Sequence, residues 1–202
     1  MHHRHLLAIP LLAAALGAQA QERTSDPLGP LAQCINRSEF QFRQQDRLPA
    51  HATTRSLKLA TGEAQVSTAD GYRLMLFRKS SLPLVNLKIE RSAAGRFAAD
   101  RDAIVAQMGE MAARGKPPLQ LPLETDARDG VEVLGLNSAS IAHTPGILSL
   151  YSLLHAASGT VATAYILNQP ADPLDFATDA QYQALRTQLI ASLVRCMADP
   201  AP

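Results

Sequence analysis

The stretch PLVNLKIER, residues 83–91, decides the fold of this chain. Apolar and polar side chains alternate along it, and successive side chains of a β-strand point to opposite faces of the sheet. One face carries Val85, Leu87 and Ile89, and the other carries Asn86, Lys88 and Glu90. One buried face and one wet face are typical of an antiparallel sheet, so this stretch predicts a strand in such a sheet.

Strand patterns surround this stretch on both sides. Residues 55–60 and 63–68 flank Thr61-Gly62, a candidate for a tight hairpin turn. Asp70-Gly71 predicts a second turn, which leads into a strand. Further extended segments are predicted at residues 72–77, 119–123, 130–141, 146–154 and 160–168. The last two flank the turn 157–159 and are apolar on both faces, which predicts central strands.

Two other segments have the apolar period of a helix. In residues 97–114 apolar side chains recur every three or four positions, and Gly115 follows where a C-terminal cap is expected. Thr178 and Gln181 form a capping box at the start of the second segment, which runs over about 178–198. We therefore predict an α+β fold, in which a single antiparallel β-sheet carries both helices packed on it.

Residues 1–20 have the layout of a cleavable secretory signal. Arg4 precedes an apolar run at residues 6–16, and small residues precede the expected cleavage bond between Ala20 and Gln21. The run is too short for a membrane span, which needs about 20 apolar residues. We expect a periplasmic or secreted protein without a membrane anchor.

The expected organisation of the remaining chain is simple. Its length and its ordinary balance of apolar and charged residues suit one globular domain. The predicted parts are an N-terminal arm at 21–50, one α+β domain at 51–198 and a frayed tail at 199–202.

The chain has two cysteines, Cys34 and Cys196, which lie far apart in the sequence. In an oxidising compartment such a pair predicts a disulfide. Two buried free thiols are the alternative. A redox-active pair is disfavoured because there is no Cys-x-x-Cys arrangement.

Charge is distributed unevenly along the chain. Residues 37–96 contain eleven Lys and Arg against five Asp and Glu, whereas residues 97–202 contain six against eleven. Two halves that pack with complementary surfaces are one interpretation, and a basic patch that meets an acidic partner is the other.

The search for catalytic motifs finds no complete set. There is no Gly-x-Ser-x-Gly turn, and Ser158, three residues after His155, lies in a predicted hairpin turn that offers no oxyanion hole. Phosphate loops and dinucleotide fingerprints are absent from the sequence as well. Aromatic residues are 4% of the chain, which disfavours base stacking and therefore nucleic-acid binding. We predict no cofactor and no catalytic residue.

Metal ligands and carboxylates are the remaining candidates. After signal removal the histidines would be His51, His143 and His155, and none has the spacing of a metal site. An acidic group comprises Glu124, Asp126, Asp129 and Glu132. It does not match a calcium-binding loop, so a solvated polar turn is the default interpretation, with acid–base chemistry as the alternative.

Three segments resemble the PsbP-like α/β sandwich of thylakoid extrinsic subunits and small bacterial envelope proteins. They are Gly71-Tyr72-Arg73-Leu74 at the entry to a strand, the helix around Met108, and residues 159–165, GTVATAY, before the final helix. The resemblance covers roughly residues 52–197. It implies a binding or accessory module, because members of that group mostly attach to other proteins.

Three functional hypotheses follow. The first is a non-enzymatic periplasmic module that binds another protein, either as an envelope accessory factor or as a protective inhibitor of a secreted toxin. The second is a small periplasmic hydrolase or metal-dependent enzyme that uses His143 or His155 with the carboxylates at 124–132. The third is a carrier of a small apolar ligand, which would need an enclosed pocket on the order of 300 Å³. The oligomeric state stays open.

Overall fold

The structure is a computed structural model that describes residues 26–38, 40, 42, 44–48, 53–78, 81–114, 121–143, 146–169 and 175–200. The predicted signal at 1–20, its cleavage bond between Ala20 and Gln21, and His51 lie outside these residues. Of His143, the structure describes the backbone.

One antiparallel sheet organises the described residues. Its strands are β1 Gln44–Leu48, β2 Thr53–Leu59, β3 Gly62–Leu76, β4 Val85–Ser92, β5 Leu123–Arg128, β6 Val131–Asn137, β7 Gly146–His155 and β8 Thr160–Asn168. The order across the sheet is β1-β3-β4-β8-β7-β6-β5, and β2 pairs with the first half of β3. The helices are α1 Gly29–Arg37, α2 Phe97–Arg114 and α3 Asp179–Ala198, with a 3₁₀ turn at Ile141–His143. The predicted α+β fold is confirmed.

Helices cover both faces of the sheet. α1 and α3 pack on one face, where β3, β4, β8 and β7 contribute a continuous apolar surface. α2 packs on the other face, against a smaller apolar cluster to which β2, β3, β6, β7 and β8 contribute. The salt bridge from Arg101 of α2 to Glu132 of β6, with an N–O distance of 2.6 Å, ties this helix to the sheet.

Strand β4 is confirmed and lies in the middle of the sheet, but the face predicted to be wet carries the buried Glu90. Leu87 lies opposite Leu74 of β3 and Ala164 of β8, and all three side chains belong to the core under α1 and α3. The polar side chains of β4 therefore face α2.

The C-terminal helix begins where the capping box predicts. The backbone N–H of Gln181 donates to Oγ1 of Thr178 at 3.3 Å. The Gln181 side chain accepts from the backbone N–H of Ala177 at 2.8 Å, one residue before the cap. The first bond satisfies an amide that the first turn of a helix leaves without a partner, and the second ties the residue before the cap to the same turn.

The turn predicted at Asp70-Gly71 is wrong. β3 runs through both residues, and the register with β4 shifts between Thr68 and Asp70, as in a β-bulge. The Asp70 carboxylate accepts from the backbone N–H of Gly71 at 2.8 Å. The bulge uses the local hydrogen bonding of Asp to bend the strand without ending it.

Of the strand predicted at 119–123, residues 119 and 120 lie outside the described residues, residues 121 and 122 are not in a strand, and Leu123 begins one. The observed strand β5 runs over Leu123–Arg128 and includes Glu124 and Asp126, whose composition predicts a polar turn. Among the strands that the structure describes, β5 pairs with β6 only and forms one edge of the sheet. Charged residues are common on edge strands because they discourage pairing with other chains.

The segment predicted as an N-terminal arm contributes to the domain. α1 buries Leu31, Ala32 and Ile35 in the core, and β1 pairs with the second half of β3. Cys34 of α1 and Cys196 of α3 form a disulfide with their Cα atoms 5.7 Å apart. The disulfide therefore joins the two helices that cover one face of the sheet.

Removal of this disulfide should destabilise the fold. The cross-link closes a loop with a sequence separation of 162, for which the chain-entropy argument gives about 5 kcal/mol as an upper value. We expect the double variant Cys34→Ala, Cys196→Ala to lose about 2–5 kcal/mol of unfolding free energy in urea. A reductant should lower the midpoint of the wild type and leave that of the double variant unchanged; an unaffected wild type would contradict the disulfide.

Candidate functional site

The sequence-predicted histidine and carboxylates do not converge in the described part of the chain. His155 ends β7, and its Nδ1 lies 2.9 Å from Oγ of Ser158 in the following turn. Glu124 accepts from the Asn137 side chain at 2.7 Å, and Glu132 pairs with Arg101. Asp129 has a φ of 50° in the turn between β5 and β6.

Proton positions in the His155–Ser158 pair do not suit nucleophilic catalysis. The Ser158 hydroxyl donates to Oγ1 of Thr160 at 2.8 Å. Ser158 has one proton to give, so it accepts from His155 in the tautomer that carries the proton on Nδ1. A catalytic base needs the opposite arrangement, in which the histidine nitrogen accepts the serine proton. The contacts instead brace the β7–β8 turn.

A cleft on the α3 face lies between β5, β6, β7 and α3. Its volume is about 290 Å³, and its polar lining includes Glu124, Asp126, Arg128, Tyr151 and Arg186. The Arg128 side chain donates to Asp126, and this bond lowers the pKa of the Asp126 carboxyl. Burial raises the pKa of Tyr151, although the charge of Arg186 counteracts part of the rise. Tyr151 therefore stays protonated at neutral pH and can only act as a neutral hydroxyl.

Gly135 makes room for Tyr151 in this cleft. The two residues are directly opposite on β6 and β7. A Cβ at Gly135 would lie 2.7 Å from Cε1 of the Tyr151 ring and 3.0 Å from Nδ2 of Asn137. The ring thus covers the glycine backbone, an arrangement that protects a strand weakened by glycine.

Behind the cleft, a buried hydroxyl pair joins α3 to the sheet. The Tyr182 hydroxyl donates to the backbone carbonyl of Leu148 at 3.1 Å and lies 2.6 Å from Oγ of Ser149. Burial raises the pKa of Tyr182. Both hydroxyls have partners, so the pair anchors the helix and leaves no free group for a ligand.

The larger hollow is a groove between α2 and the centre of the sheet, with a volume of about 450 Å³. We call it the α2 groove. Its sheet side includes a row of directly opposed residues, Lys88 of β4, Thr163 of β8 and Ser152 of β7. Its apolar residues are Leu57, Ile104, Met108, Met111 and Leu150.

Two cations line the α2 groove and share one carboxylate. Nη1 of Arg55 lies 2.9 Å from Oε2 of Glu90, and Nζ of Lys88 lies 2.7 Å from Oε1. The Glu90 side chain is 3% exposed, whereas those of Lys88 and Arg55 are 31% and 40% exposed. The cations thus compensate the buried carboxylate and leave one net positive charge facing the groove.

Neither a metal site nor a membrane span is found among the residues that the structure describes. No group of three or more His, Cys, Asp or Glu side chains there could hold a metal ion. No helix there is long and apolar enough to cross a membrane.

Fold and site together define a disulfide-bonded α+β protein with a positively charged, partly apolar groove under an internal helix. No protein-family model, curated protein or solved structure matches the chain.

Sequence reasoning missed most of the groove. The alternation places Lys88 on the wet face of its strand, but no local pattern singles out Thr163 and Ser152, because their neighbours are apolar. The sequence signal that could have revealed the groove is the presence of polar residues on strands predicted to be central. The pairing that aligns the three residues depends on contacts between distant segments, which the sequence does not display.

Substitution of Gly135 tests the packing of the α3-face cleft. We expect Gly135→Ala to cost about 1–3 kcal/mol of unfolding free energy, because the new methyl group meets the Tyr151 ring. Gly109 of α2 is the matched control: a Cβ there meets nothing within 4 Å, so Gly109→Ala should stabilise by up to about 1 kcal/mol. Urea unfolding measures both, and equal effects would contradict the assignment.

Proposed function

We propose that the chain is a non-enzymatic binding module that works in the periplasm or after secretion. Its α2 groove holds an acidic, partly apolar segment of another protein. Such a module would act either as an envelope accessory factor or as a protective inhibitor of a secreted toxin.

The polar row on the central strands carries this proposal. A central sheet face beneath a helix is usually filled with apolar side chains. Here Lys88, Thr163 and Ser152 occupy that position, and the space between them and α2 stays open. Polar side chains at these positions forgo the stabilisation that apolar packing under α2 would give. This departure from an ordinary core supports a role in binding.

The chemistry of the groove favours an acidic occupant. Arg55 and Lys88 together exceed the charge of Glu90 by one unit, so a carboxylate would complete the pairing. Met111, 44% exposed at the rim of the groove, and Met108 offer a pliable apolar wall. A purely apolar ligand would strip water from Lys88 without replacing it, which disfavours the carrier hypothesis.

Two further features support the proposed location outside the cytoplasm and the proposed protein-binding role. The Cys34–Cys196 disulfide suits an oxidising environment, as the predicted signal does. The resemblance to the PsbP-like sandwich, whose members mostly attach to other proteins, is consistent with a binding role.

Selection from a phage-displayed library of random peptides tests the groove. We expect enriched peptides to combine Asp or Glu with a large apolar residue. Lys88→Gln should weaken their binding by roughly fivefold, because a half-exposed ion pair contributes about 1 kcal/mol. Lys58→Gln, on an exposed position of β2 outside the groove lining, is the matched control and should bind as the wild type does.

A second variant guards against misfolding. Met111→Asp places an acidic group at the exposed rim, where it should repel acidic peptides without disturbing the core. Thermal unfolding checks that each variant is folded. Peptides without acidic residues, or unchanged binding to both groove variants, would refute the proposal.

A hydrolase that uses His155 is the second candidate, favoured by its contact with Ser158. Under the binding proposal we expect no reaction of Ser158 with a fluorophosphonate probe, because its proton is engaged by Thr160. Intact-protein mass spectrometry measures the adduct, with a known serine hydrolase as positive control. Stoichiometric labelling that Ser158→Ala abolishes would favour the hydrolase instead.

A further inference from the structure

The α3-face cleft holds two opposite charges that do not pair with each other. Glu124 lines the cleft from β5, and Arg186 lines it from α3. Within the described part of the chain, neither side chain belongs to an ion pair. The other charged residues of the lining, Asp126 and Arg128, pair with each other. The charges of the lining therefore sum to zero, and one charge of each sign remains uncompensated.

Neighbouring side chains hold both charges in place. Nδ2 of Asn137 donates to Oε2 of Glu124 at 2.7 Å, and the carboxylate keeps further lone pairs for another donor. Cζ of Arg186 lies 5.8 Å from the centroid of the Tyr182 ring, a cation–π distance. Glu124 is exposed and Arg186 is half-buried, so both charged groups are accessible from the cleft. Side chains that are oriented in advance lose less entropy when a ligand binds.

The Tyr151 side chain shows that both charges act on the same part of the cleft. Burial raises the pKa of Tyr151, the charge of Arg186 lowers it, and the charge of Glu124 raises it further. Because Coulomb interactions weaken with distance, opposite effects on one hydroxyl require that both charges lie near it. A small ligand beside Tyr151 would therefore meet a negative and a positive group together.

The size and the apolar part of the cleft limit the ligand further. A volume of about 290 Å³ lies at the lower end of ligand-binding sites and suits a small molecule. Val133 of β6 and Ile190 of α3 form the apolar part of the lining. The ligand that fits this description is small, carries both charges and has a hydrocarbon group.

We propose that the α3-face cleft binds a free aliphatic α-amino acid, with its ammonium group on Glu124 and its carboxylate on Arg186. Its hydrocarbon side chain packs against Val133 and Ile190. A zwitterion satisfies both uncompensated charges, whereas a simple anion leaves Glu124 unpaired and a simple cation leaves Arg186 unpaired. The cleft lies on the opposite face of the sheet from the α2 groove, so this site does not depend on the function proposed for that groove.

Titration of the isotope-labelled protein with L-leucine, followed by NMR spectroscopy, tests the site. We expect saturable amide shifts in the millimolar range, confined to residues 124–128, 133–137, 151 and 186–190. N-acetyl-leucine lacks the ammonium charge and resembles a peptide C-terminus, and leucinamide lacks the carboxylate and resembles a peptide N-terminus. Each should bind roughly fivefold more weakly than leucine, because one partly exposed ion pair is lost.

Substitutions at the two charges assign each group of the ligand. Glu124→Gln should weaken leucine binding by roughly fivefold but should not weaken the binding of N-acetyl-leucine, which has no ammonium group. Arg186→Gln should weaken both of these ligands and leave leucinamide unaffected. Arg186→Lys keeps the charge and should retain most of the affinity for leucine. Arg195→Gln, at an exposed position of α3 outside the cleft lining, is the matched control and should bind as the wild type does.

Thermal unfolding checks that each variant is folded, and the exposed position of Glu124 makes its variant the safer one. Binding of N-acetyl-leucine or leucinamide as tight as that of leucine would overturn the assignment to a free amino acid. Absence of saturable shifts up to the solubility of leucine would overturn the proposal. Leucine binding that survives both Glu124→Gln and Arg186→Gln would do so as well.

Discussion

The pairing of β4 on both of its edges is the constraint on which the rest of the structure depends. β3 and β8 satisfy its backbone hydrogen bonds, so β4 cannot lie at the border of the sheet. Its apolar face then forms the floor of the core under α1 and α3. Because side chains alternate, the same pairing places Asn86, Lys88 and Glu90 on the face toward α2. A charged residue in the centre of a sheet requires partners, and this requirement shapes the second face.

Compensation of Glu90 explains why the α2 side is not an ordinary core. Removing an ionised carboxylate from water is costly unless opposite charges and hydrogen bonds replace the water. Arg55 reaches it from β2, and Lys88 lies two residues before it on β4. Both cations remain partly exposed to water, so apolar side chains do not fill the α2 groove beside them. α2 packs on an apolar cluster that includes Leu57 of β2, Val66 of β3 and Leu134 of β6, and a groove remains beside it.

Local patterns predicted the elements well where one physical signal dominated. The alternation at 83–91 predicted β4, and the cap and apolar spacing predicted α3 with its start at Asp179. Two of the failures have a shared cause. Asp70-Gly71 and the acidic residues at 124–128 have the composition of turns, but pairing with neighbouring strands overrides that preference. The bulge in β3 and the edge position of β5 accommodate these residues within the sheet.

The sequence by itself determined the fold class, the positions of α2 and α3, and the cysteine pair, because these depend on periodicity, caps and residue type along short segments. Tertiary structure decided which residues become neighbours. Lys88 meets Thr163 and Ser152 only because β4, β8 and β7 pair in one register, and Ser92 meets Gly159 through the same pairing. Those contacts join segments far apart in the chain. Register is a property of the whole sheet, since a shift by one residue would turn every side chain to the opposite face.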